Sequence, residues 1–185
     1  TRRPSDEEHA ILCAYFAERQ KSGRVKIDMV RVANWQRASC RRISETCRIE
    51  WADWNRDDRT QLVRKMKNPR NRNKNKVVAL TPEAQAMLVE LYEMRDQNQP
   101  RVFPYRAESC SAAYTQAKKV LGIDGLHLHD SRRDRATRLV QEDGYSSAEA
   151  IGFTGHETPQ VFERTYLEMD VSLLKDGPRS KRVAA

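Results

Sequence analysis

The sequence predicts a mainly α-helical fold with one small antiparallel β-sheet, which places the chain in the α+β class. Helix-capping signals followed by apolar residues at helical spacing recur along most of its 185 residues. Two short β-compatible runs, LVRKMK and NKVVAL, flank a polar loop that carries Pro69 and two asparagines, so they predict a hairpin or a small sheet. The length is sufficient for one domain with a substantial core.

Three helices are predicted upstream of the hairpin. Ser5 and, three residues later, Glu8 form a capping box before the apolar run AILCAYFA, and Gly23 ends that helix. Apolar residues at helical spacing predict a second helix over residues 27–38. The segment ISETCRIEWADW predicts a third helix that ends near Trp51.

The hairpin carries most of the excess positive charge of the chain. Nine basic residues accompany two acidic ones between Arg56 and Lys76, whereas the formal net charge of the whole chain is +8. A charge run of this kind is usually a solvated surface, but its concentration on a hairpin is what contact with a DNA backbone requires. The candidate DNA-binding residues are Arg64, Lys65, Arg70, Arg72, Lys74 and Lys76.

Downstream of the hairpin the pattern predicts further helices joined by short loops. Thr81 caps the first of them, PEAQAMLVELYEM, with Pro82 at its first position. The alternating segment LHLHD predicts an extended approach to a later helix. The remaining predicted helices are residues 109–121, residues 131–142, a short helix capped by Ser146 and a helix capped by Thr158 with Pro159 first.

The charge balance favours a polyanionic partner, since 34 lysines and arginines exceed 26 aspartates and glutamates. Charge alone leaves both nucleic acid and an acidic membrane surface open. No apolar run approaches the length of a membrane span, and neither a signal peptide nor a basic amphipathic helix is visible. We therefore expect a cytoplasmic protein without a membrane partner.

The cysteines predict no metal site and no disulfide framework. None of them forms a CxxC pair, and their spacings to the histidines match no zinc pattern. Reduced and mostly buried thiols are expected, and neither a metal nor a cofactor is predicted. The four residues are Cys13, Cys40, Cys47 and Cys110.

The residues that carry chemistry are concentrated near the C-terminal end, where His129, Arg132, His156 and Tyr166 follow one another. His129 and Arg132 are three residues apart at a predicted helix start, so both side chains lie on one face. Taken alone, HxxR also fits a surface histidine beside a solvated arginine. With a second arginine, this set suits the holding of a phosphodiester while a phenol oxygen attacks it. Such chemistry requires neither a metal nor a nucleotide cofactor.

Arg42 is the candidate second arginine, because it precedes ISE at the start of a predicted helical segment. Glu45 lies one turn further on and fits two interpretations, a simple salt bridge or a carboxylate that steadies a functional arginine. Guanidinium groups bind phosphate oxygens bidentately and keep their charge, so two of them neutralise a pentacoordinate phosphorane.

Four segments resemble the catalytic boxes of the tyrosine recombinases, the phage integrases and their relatives. CRRISETCRIEW resembles the first box, LHLHDSRRDRATRL the second and TGHETPQVFERTYLEM the third. KMKNPRNRNKNKVVALTP is similar to the hairpin that carries the lysine of the family. The resemblance implies the tyrosine recombinase catalytic-domain fold over residues 1–170. The tail over residues 171–185 is expected to be mobile or to dock on a neighbouring protomer.

The resemblance also implies a role for each matching residue. Tyr166 is the implied nucleophile, and Arg42 and Arg132 are implied to hold the non-bridging oxygens of the scissile phosphate. His129 is implied to assist proton transfer, and His156 to bond the phosphate and help position the tyrosine. Tyr166 lies ten residues after His156, one more than the usual family spacing.

Lys67 is the implied acid that protonates the leaving 5′-oxygen, because KNPR best matches the family lysine before the turn. Lys65 shares its strand parity and is the alternative. Glu45 is the implied structural acid beside the first arginine.

The implied activity is that of a site-specific DNA recombinase or integrase, which cleaves and rejoins strands through a covalent 3′-phosphotyrosine intermediate. The implied partners are double-stranded DNA, further copies of the chain in a tetramer on that DNA, and an N-terminal core-binding domain of the same protein. Since the chain begins with TRRPSDEE and not with methionine, we expect a fragment of a longer protein. Two alternatives stay open: a type IB topoisomerase or telomere resolvase with the same chemistry, and a non-catalytic DNA-binding module of the same fold.

Overall fold

A computed structural model describes residues 2–66 and 74–166 of the chain, with the side chains of residues 165 and 166 left out. The helices in these ranges are α1 (Asp6–Lys21), α2 (Met29–Ser39), α3 (Ile43–Thr46), α4 (Pro82–Glu93), α5 (Ala107–Leu121), α6 (Asp130–Gln141), α7 (Ser147–Thr154) and α8 (Pro159–Tyr166). The strands are β1 (Trp54–Asn55), β2 (Thr60–Met66) and β3 (Lys74–Ala79), with a 3-10 turn over Trp51–Asp53 before β1. The predicted fold class, mainly helical with a small antiparallel sheet, is confirmed.

The predicted helix starts form through their own side chains. In the box that opens α1, the Ser5 hydroxyl accepts from the Glu8 backbone N–H at 3.1 Å, and the Glu8 carboxylate accepts from the Ser5 N–H at 3.0 Å. Ser146 and Glu149 repeat this arrangement at the start of α7. Each pair provides partners for N–H groups that the helix itself leaves unpaired. Because both residues of a pair lie within four positions of the chain, the helix start can be predicted from the sequence.

The predicted third helix is wrong beyond Thr46, where α3 ends after only four residues. The following segment pairs instead with a distant loop. The Val102 N–H donates to the Ile49 carbonyl at 3.0 Å, and the Trp51 N–H donates to the Pro100 carbonyl at 2.9 Å. These long-range hydrogen bonds require extended backbone, and they outweigh a local helical preference of a few tenths of a kcal/mol, roughly, per residue.

The approach to α6 is a turn, so the expected extended LHLHD segment is wrong as well. The Asp130 N–H donates to the His127 carbonyl at 2.9 Å, and the Asp130 carboxylate accepts from the His127 N–H at 2.7 Å. Leu126 and Leu128 are nevertheless buried while the two histidines are exposed. The apolar–polar alternation therefore reports burial here without reporting a strand.

The hairpin is confirmed as part of a three-stranded antiparallel sheet in the order β1-β2-β3. Val63 lies opposite Lys76, but Met66 lies opposite Lys74, so β2 contains one extra residue. Lys65 has a left-handed backbone conformation (φ 51°) within this bulge. A bulge interrupts the alternation of faces in the strand at Lys65, whereas Lys67, to which Lys65 is the alternative, lies outside the described residues.

The buried side chains form a large core, a smaller core and a patch beneath the sheet, which consists of Val63, Met66 and Val78. Trp35 is fully buried in the large core among α1, α2, α4 and α5, and its indole N–H donates to Thr46 Oγ1 at 3.1 Å. Phe162 of α8 is fully buried in the smaller core with Leu139 of α6. Burying a side chain of this size contributes about 1.5–3 kcal/mol, so Phe162 anchors α8 against α6 and α7.

None of the described helices combines the length and the apolar composition that crossing a membrane requires.

Gly155 ends α7 in the left-handed conformation (φ 79°), and its position touches the patch beneath the sheet. A Cβ atom there would lie 2.5 Å from Met66 Cε and 3.4 Å from Val78 Cγ1. The backbone angle favours glycine at this position, and a Cβ atom there would also require the end of the Met66 side chain to shift.

We expect Gly155→Ala to lower the free energy of unfolding by about 1–3 kcal/mol, because it adds backbone strain and a steric clash. Gly152→Ala is the matched control, since Gly152 is inside α7 and a Cβ atom there meets nothing within 4 Å. That control should raise the free energy of unfolding by about 0.5–1 kcal/mol. Urea denaturation measures both, and equal effects would contradict the assigned geometry.

Candidate active site

The structure brings Arg42 and Arg132 together around one carboxylate. Glu45 Oε1 accepts from Arg42 Nη1 at 2.7 Å, and Glu45 Oε2 lies 3.4 Å from Arg132 Nη1. The Arg132 side chain has no exposed surface and that of Glu45 only 1%, whereas the Arg42 side chain keeps 25% exposed. Two residues predicted from distant boxes therefore share a partner, and the predicted structural acid is that partner.

The corner between α2 and α3 presents these groups. Cys40, which caps the end of α2, is buried and has a left-handed backbone conformation (φ 56°). Its carbonyl accepts from Arg132 Nη1 at 2.7 Å. The Glu45 carboxylate also accepts from the Arg42 backbone N–H at 2.9 Å, which caps α3. One short corner thus fixes both ends of the Arg42–Glu45 pair and the guanidinium of Arg132.

The arginines decide the protonation state of Glu45. Burial acts to raise the pKa of this carboxyl, but the charges of Arg132, Arg41 and Arg42 outweigh it and hold the pKa below the ordinary value of glutamate. The carboxylate is therefore ionised, as the bridging role requires.

Both candidate histidines lie beside this cluster and have lowered pKa values. Desolvation, followed by the charges of Arg132 and Arg42, lowers the pKa of His129, which is at the N-terminal boundary of α6. The same causes, joined by Arg41, lower the pKa of His156 to about 3. Both imidazoles are therefore neutral near pH 7, and a neutral imidazole is able to accept a proton.

His156 follows the C-terminal end of α7 and is held on two sides. Its Nδ1 atom lies 2.6 Å from Thr154 Oγ1, and its ring meets the ring of Phe162 edge to face with centroids 5.8 Å apart. The Thr154 contact leaves Nε2 as the nitrogen that this hydrogen bond does not use. The ring is therefore oriented by α7 on one side and by α8 on the other.

Tyr166 is the last residue of α8, the helix that begins at Pro159 after the predicted Thr158 cap. Its backbone belongs to the helix that Phe162 anchors, and its side chain lies outside the described part of the chain. The third box thus supplies His156 and Tyr166 from two consecutive elements.

The hairpin residues predicted to contact DNA differ in their surroundings. Arg64 pairs with Asp53 at 2.7 Å, and Lys74 Nζ lies 3.2 Å from a Glu157 carboxylate oxygen. Lys65 is exposed, and among the described residues its side chain has no hydrogen bond or ion pair. Three predicted residues lie outside the described part of the chain, namely Lys67, Arg70 and Arg72.

Two residues of the site were not predicted from the sequence in the role that they have in the structure. Arg41 is fully buried beside Arg42, although a doubled arginine reads as surface charge. Lys76, expected on DNA, donates from Nζ to the carbonyls of Gly155 at 3.3 Å and His156 at 2.8 Å. The alternation of faces along β3 indicates the position of Lys76. Because Lys76 lies two residues before the buried Val78, both side chains lie on the same face of the strand.

Three of the four cysteines are buried, namely Cys40, Cys47 and Cys110, and Cys40 contributes to the site through its backbone carbonyl. Across the described ranges, no group of three or more histidine, cysteine, aspartate or glutamate side chains is arranged to hold a metal ion.

A model of the phage integrase family matches residues 12–172 of the chain. Two curated proteins of Haemophilus influenzae, each described as "Putative integrase/recombinase", are 28% identical over 133 residues and 27% identical over 132 residues. Each match covers 71% of this chain, but the chain spans only 34% and 41% of the length of these relatives.

Three solved structures share the fold at low sequence identity. XerA recombinase aligns with a TM-score of 0.67 and 16% identity over 95% of this chain and 63% of its own. The Tn1549 transposon integrase, in complex with a circular intermediate DNA, aligns with a TM-score of 0.66 and 12% identity over 94% of this chain and 64% of its own. A lambda integrase dimer bound to a COC′ core site aligns with a TM-score of 0.63 and 14% identity, over 88% of this chain and 47% of its own. The fold implied by the sequence boxes is therefore confirmed.

We expect Glu45→Gln to lower the free energy of unfolding by about 3–5 kcal/mol at pH 7, because it removes the buried counter-charge of two arginines. The folded-state pKa of Glu45 is depressed, so its contribution is present above the ordinary pKa of 4.5 and is lost as the pH falls through the folded value. The difference between variant and wild type should shrink in acid. Glu18→Gln, at an exposed pair with Lys21, is the control and should change little in urea denaturation.

His156 also makes the stability depend on pH, in this case through protonation of the unfolded chain. The unfolded chain protonates this histidine near its ordinary pKa of 6.5, whereas the folded chain does so only at about 3. Lowering the pH from 7 to 5 therefore protonates the unfolded state alone and removes about 1–2 kcal/mol of stability. His156→Gln should lose that part of the pH dependence in urea titrations, and a variant that keeps the wild-type slope would contradict this assignment.

Proposed function

The chain belongs to the phage integrase family, and on that premise we propose that it carries the catalytic site of a site-specific DNA recombinase that cleaves and rejoins strands through a 3′-phosphotyrosine. One observation carries the proposal. Arg42 and Arg132 share the Glu45 carboxylate, and the neutral His156, whose pKa burial and these arginines keep low, lies just before the helix that ends in Tyr166. This is a cation-rich site beside neutral imidazoles, and the helix that follows it ends in a tyrosine.

In the proposed reaction, the arginines hold the scissile phosphate. Arg42 is the guanidinium at the solvent edge, and Arg132 lies buried against the same carboxylate. Charge-assisted bonds from two planar guanidinium groups stabilise the negative charge that grows on the non-bridging oxygens in the transition state. Glu45 holds the two like charges close enough to share one phosphate.

Bond making and breaking then balance without a cofactor. The Tyr166 oxygen attacks the phosphorus, a 3′-phosphotyrosyl bond forms, and the bond to the 5′-oxygen breaks. The phenol proton passes to a neutral imidazole, with His129 as the proposed acceptor and His156 aligning the phosphate and the tyrosine. Lys67 is the proposed donor of the proton that the leaving 5′-oxygen takes. Rejoining runs the same steps in reverse, so the energy of the bond is conserved and ATP is not consumed.

The partners we propose follow from the site and from the relatives. The substrate is double-stranded DNA, with exposed Lys65 as the proposed backbone contact on the hairpin. The curated relatives are more than twice as long as the matched region, which supports an N-terminal core-binding domain in the same protein. The lambda integrase neighbour is a dimer on DNA, which supports assembly of several copies, proposed here as a tetramer joined through residues 171–185. The proposed location is the cytoplasm.

The test is covalent trapping on a nicked duplex taken from the DNA that flanks the gene, with the full-length protein. The nick lets the 5′-hydroxyl fragment diffuse away, so the phosphotyrosyl adduct accumulates and migrates as a shifted band under denaturing conditions. Tyr166→Phe should abolish the adduct, because it removes the attacking oxygen and leaves the ring. Tyr145→Phe is the matched control and should form it, since Tyr145 lies outside the third box.

Each other result leads to a different conclusion. An adduct formed by Tyr166→Phe would show that the nucleophile is another residue. Wild-type protein that binds the duplex but never forms an adduct would be a non-catalytic DNA-binding module. An adduct accompanied by relaxation of supercoils or by hairpin ends, without two-site recombination, would identify a type IB topoisomerase or a telomere resolvase.

A further inference from the structure

Cationic side chains bond four consecutive backbone carbonyl groups at the C-terminal end of α7 and in the turn that follows it. The bonds run from Arg41 Nη2 to Phe153, from Arg132 Nη2 to Thr154 at 3.1 Å, and from Lys76 Nζ to Gly155 at 3.3 Å and His156 at 2.8 Å. We call this set of bonds the carbonyl clamp. Its three cations come from three elements: the α2–α3 corner, α6 and β3.

The clamp has a physical cause in the helix itself. The last carbonyl groups of a helix have no N–H partner within it, and they form the negative end of the helix dipole. Cations at this end are stabilised by about 0.3–1 kcal/mol each at exposed sites and by up to about 2 kcal/mol when partly buried. The end of α7 thus provides negative counter-charge to these cations in addition to the carboxylate of Glu45, which acts on Arg41 and Arg132.

Arg41 is the costliest member of the clamp. Its side chain is fully buried, Nε donates to the Ser39 carbonyl at 3.0 Å, and Nη1 is buried with no hydrogen-bond partner among residues 2–66 and 74–166. Removing a guanidinium from water and leaving one donor unpaired costs a few kcal/mol, roughly. Such a residue needs a compensating contact, and outside its own corner Arg41 bonds the Phe153 carbonyl, just before the turn that presents His156.

We propose that Arg41 and Lys76 are positioning residues for strand transfer, which act by holding the end of α7 so that His156 faces the phosphate. This inference rests on the proposed function of His156. Arg41 ties the turn to the corner that carries Arg42, and Lys76 ties it to the hairpin that carries the proposed acid. Neither residue is required to touch DNA.

The charged groups that face His156 come from every element packed against it. Arg132 belongs to α6, Arg41 and Arg42 to the α2–α3 corner, and Glu45 to α3. On the hairpin side, Lys76 bonds its carbonyl and Lys74 pairs with the adjacent Glu157, whereas α8 contributes the uncharged ring of Phe162. Burial is the largest cause of the low pKa of this imidazole, and Arg41 is one of three arginines that lower the pKa further.

The first experiment measures adduct formation at saturating DNA, with the nicked duplex and the full-length protein described above. Arg41→Met and Lys76→Met should each slow the single-turnover rate by roughly 100-fold, because misplacement of a catalytic group by about 1 Å has that effect. The Kd for the same duplex should stay unchanged. Lys76→Arg should restore most of the rate, since it keeps a donor for the same carbonyls. Arg24→Met and Lys119→Met make the same chemical changes at exposed positions and should behave as wild type.

The second experiment needs neither DNA nor activity. NMR titration of the histidine rings in Arg41→Met should show the pKa of His156 rising, because a neighbouring positive charge is lost. Arg41→Lys keeps the charge and should leave that pKa near its wild-type value. If Arg41→Met does not fold, Arg41→Lys and Lys76→Met still report, because one retains the charge and the other is not fully buried.

The outcomes separate this inference from the proposed function. If Lys76→Met weakens DNA binding and lowers its salt dependence by about one ion, with the saturating rate unchanged, Lys76 is a DNA contact and its positioning role is wrong. If Arg41→Met matches Arg24→Met in both rate and His156 titration, the role of Arg41 is wrong. If the wild type forms no adduct, the proposed function fails, while the titration still decides whether the clamp controls His156.

Discussion

The buried Glu45 carboxylate is the constraint on which the rest of the site depends. It accepts hydrogen bonds from Arg42 through both the backbone and the side chain, and its second oxygen faces Arg132. Two guanidinium groups at this separation repel each other in a poorly solvated environment, so a shared anion is required to hold them. The short helix α3, the left-handed Cys40 and the start of α6 all serve the geometry of that one carboxylate.

The same arginines set the chemistry of their neighbours. They lower the pKa values of His129 and His156, so the site combines fixed positive charge with neutral proton acceptors. An anion bound between the arginines acts in the opposite direction and raises the pKa of a nearby imidazole. In the proposed reaction, arrival of the phosphate therefore makes the histidines better bases when the phenol has to lose its proton.

Features that depend on nearby residues were predictable from the sequence. The capping boxes at Ser5 and Ser146 determine helix starts because both partners lie within one turn, and the hairpin follows from two β-compatible runs and a turn. The long-range pairing of Ile49 with Val102 was not predictable, since the competing hydrogen bonds come from residues more than fifty positions away. The bulge at Lys65 is of the same kind, because its position depends on the register of both strands.

For the candidate site, the sequence by itself determined which residue types are present and in what order: an arginine beside ISE, an HxxR pair, and a histidine followed by a tyrosine. That order, with the family resemblance, was sufficient to name Arg42, Glu45, Arg132 and His156 as neighbours. Only the tertiary structure decided that Arg41 points inward and that Lys76 bonds the turn before His156. The physical reason is that burial and carbonyl partners are supplied by α7, an element that neither residue adjoins in sequence. The sequence pattern of a doubled arginine or of a strand lysine is the same whether the side chain contacts solvent, DNA or the end of a helix.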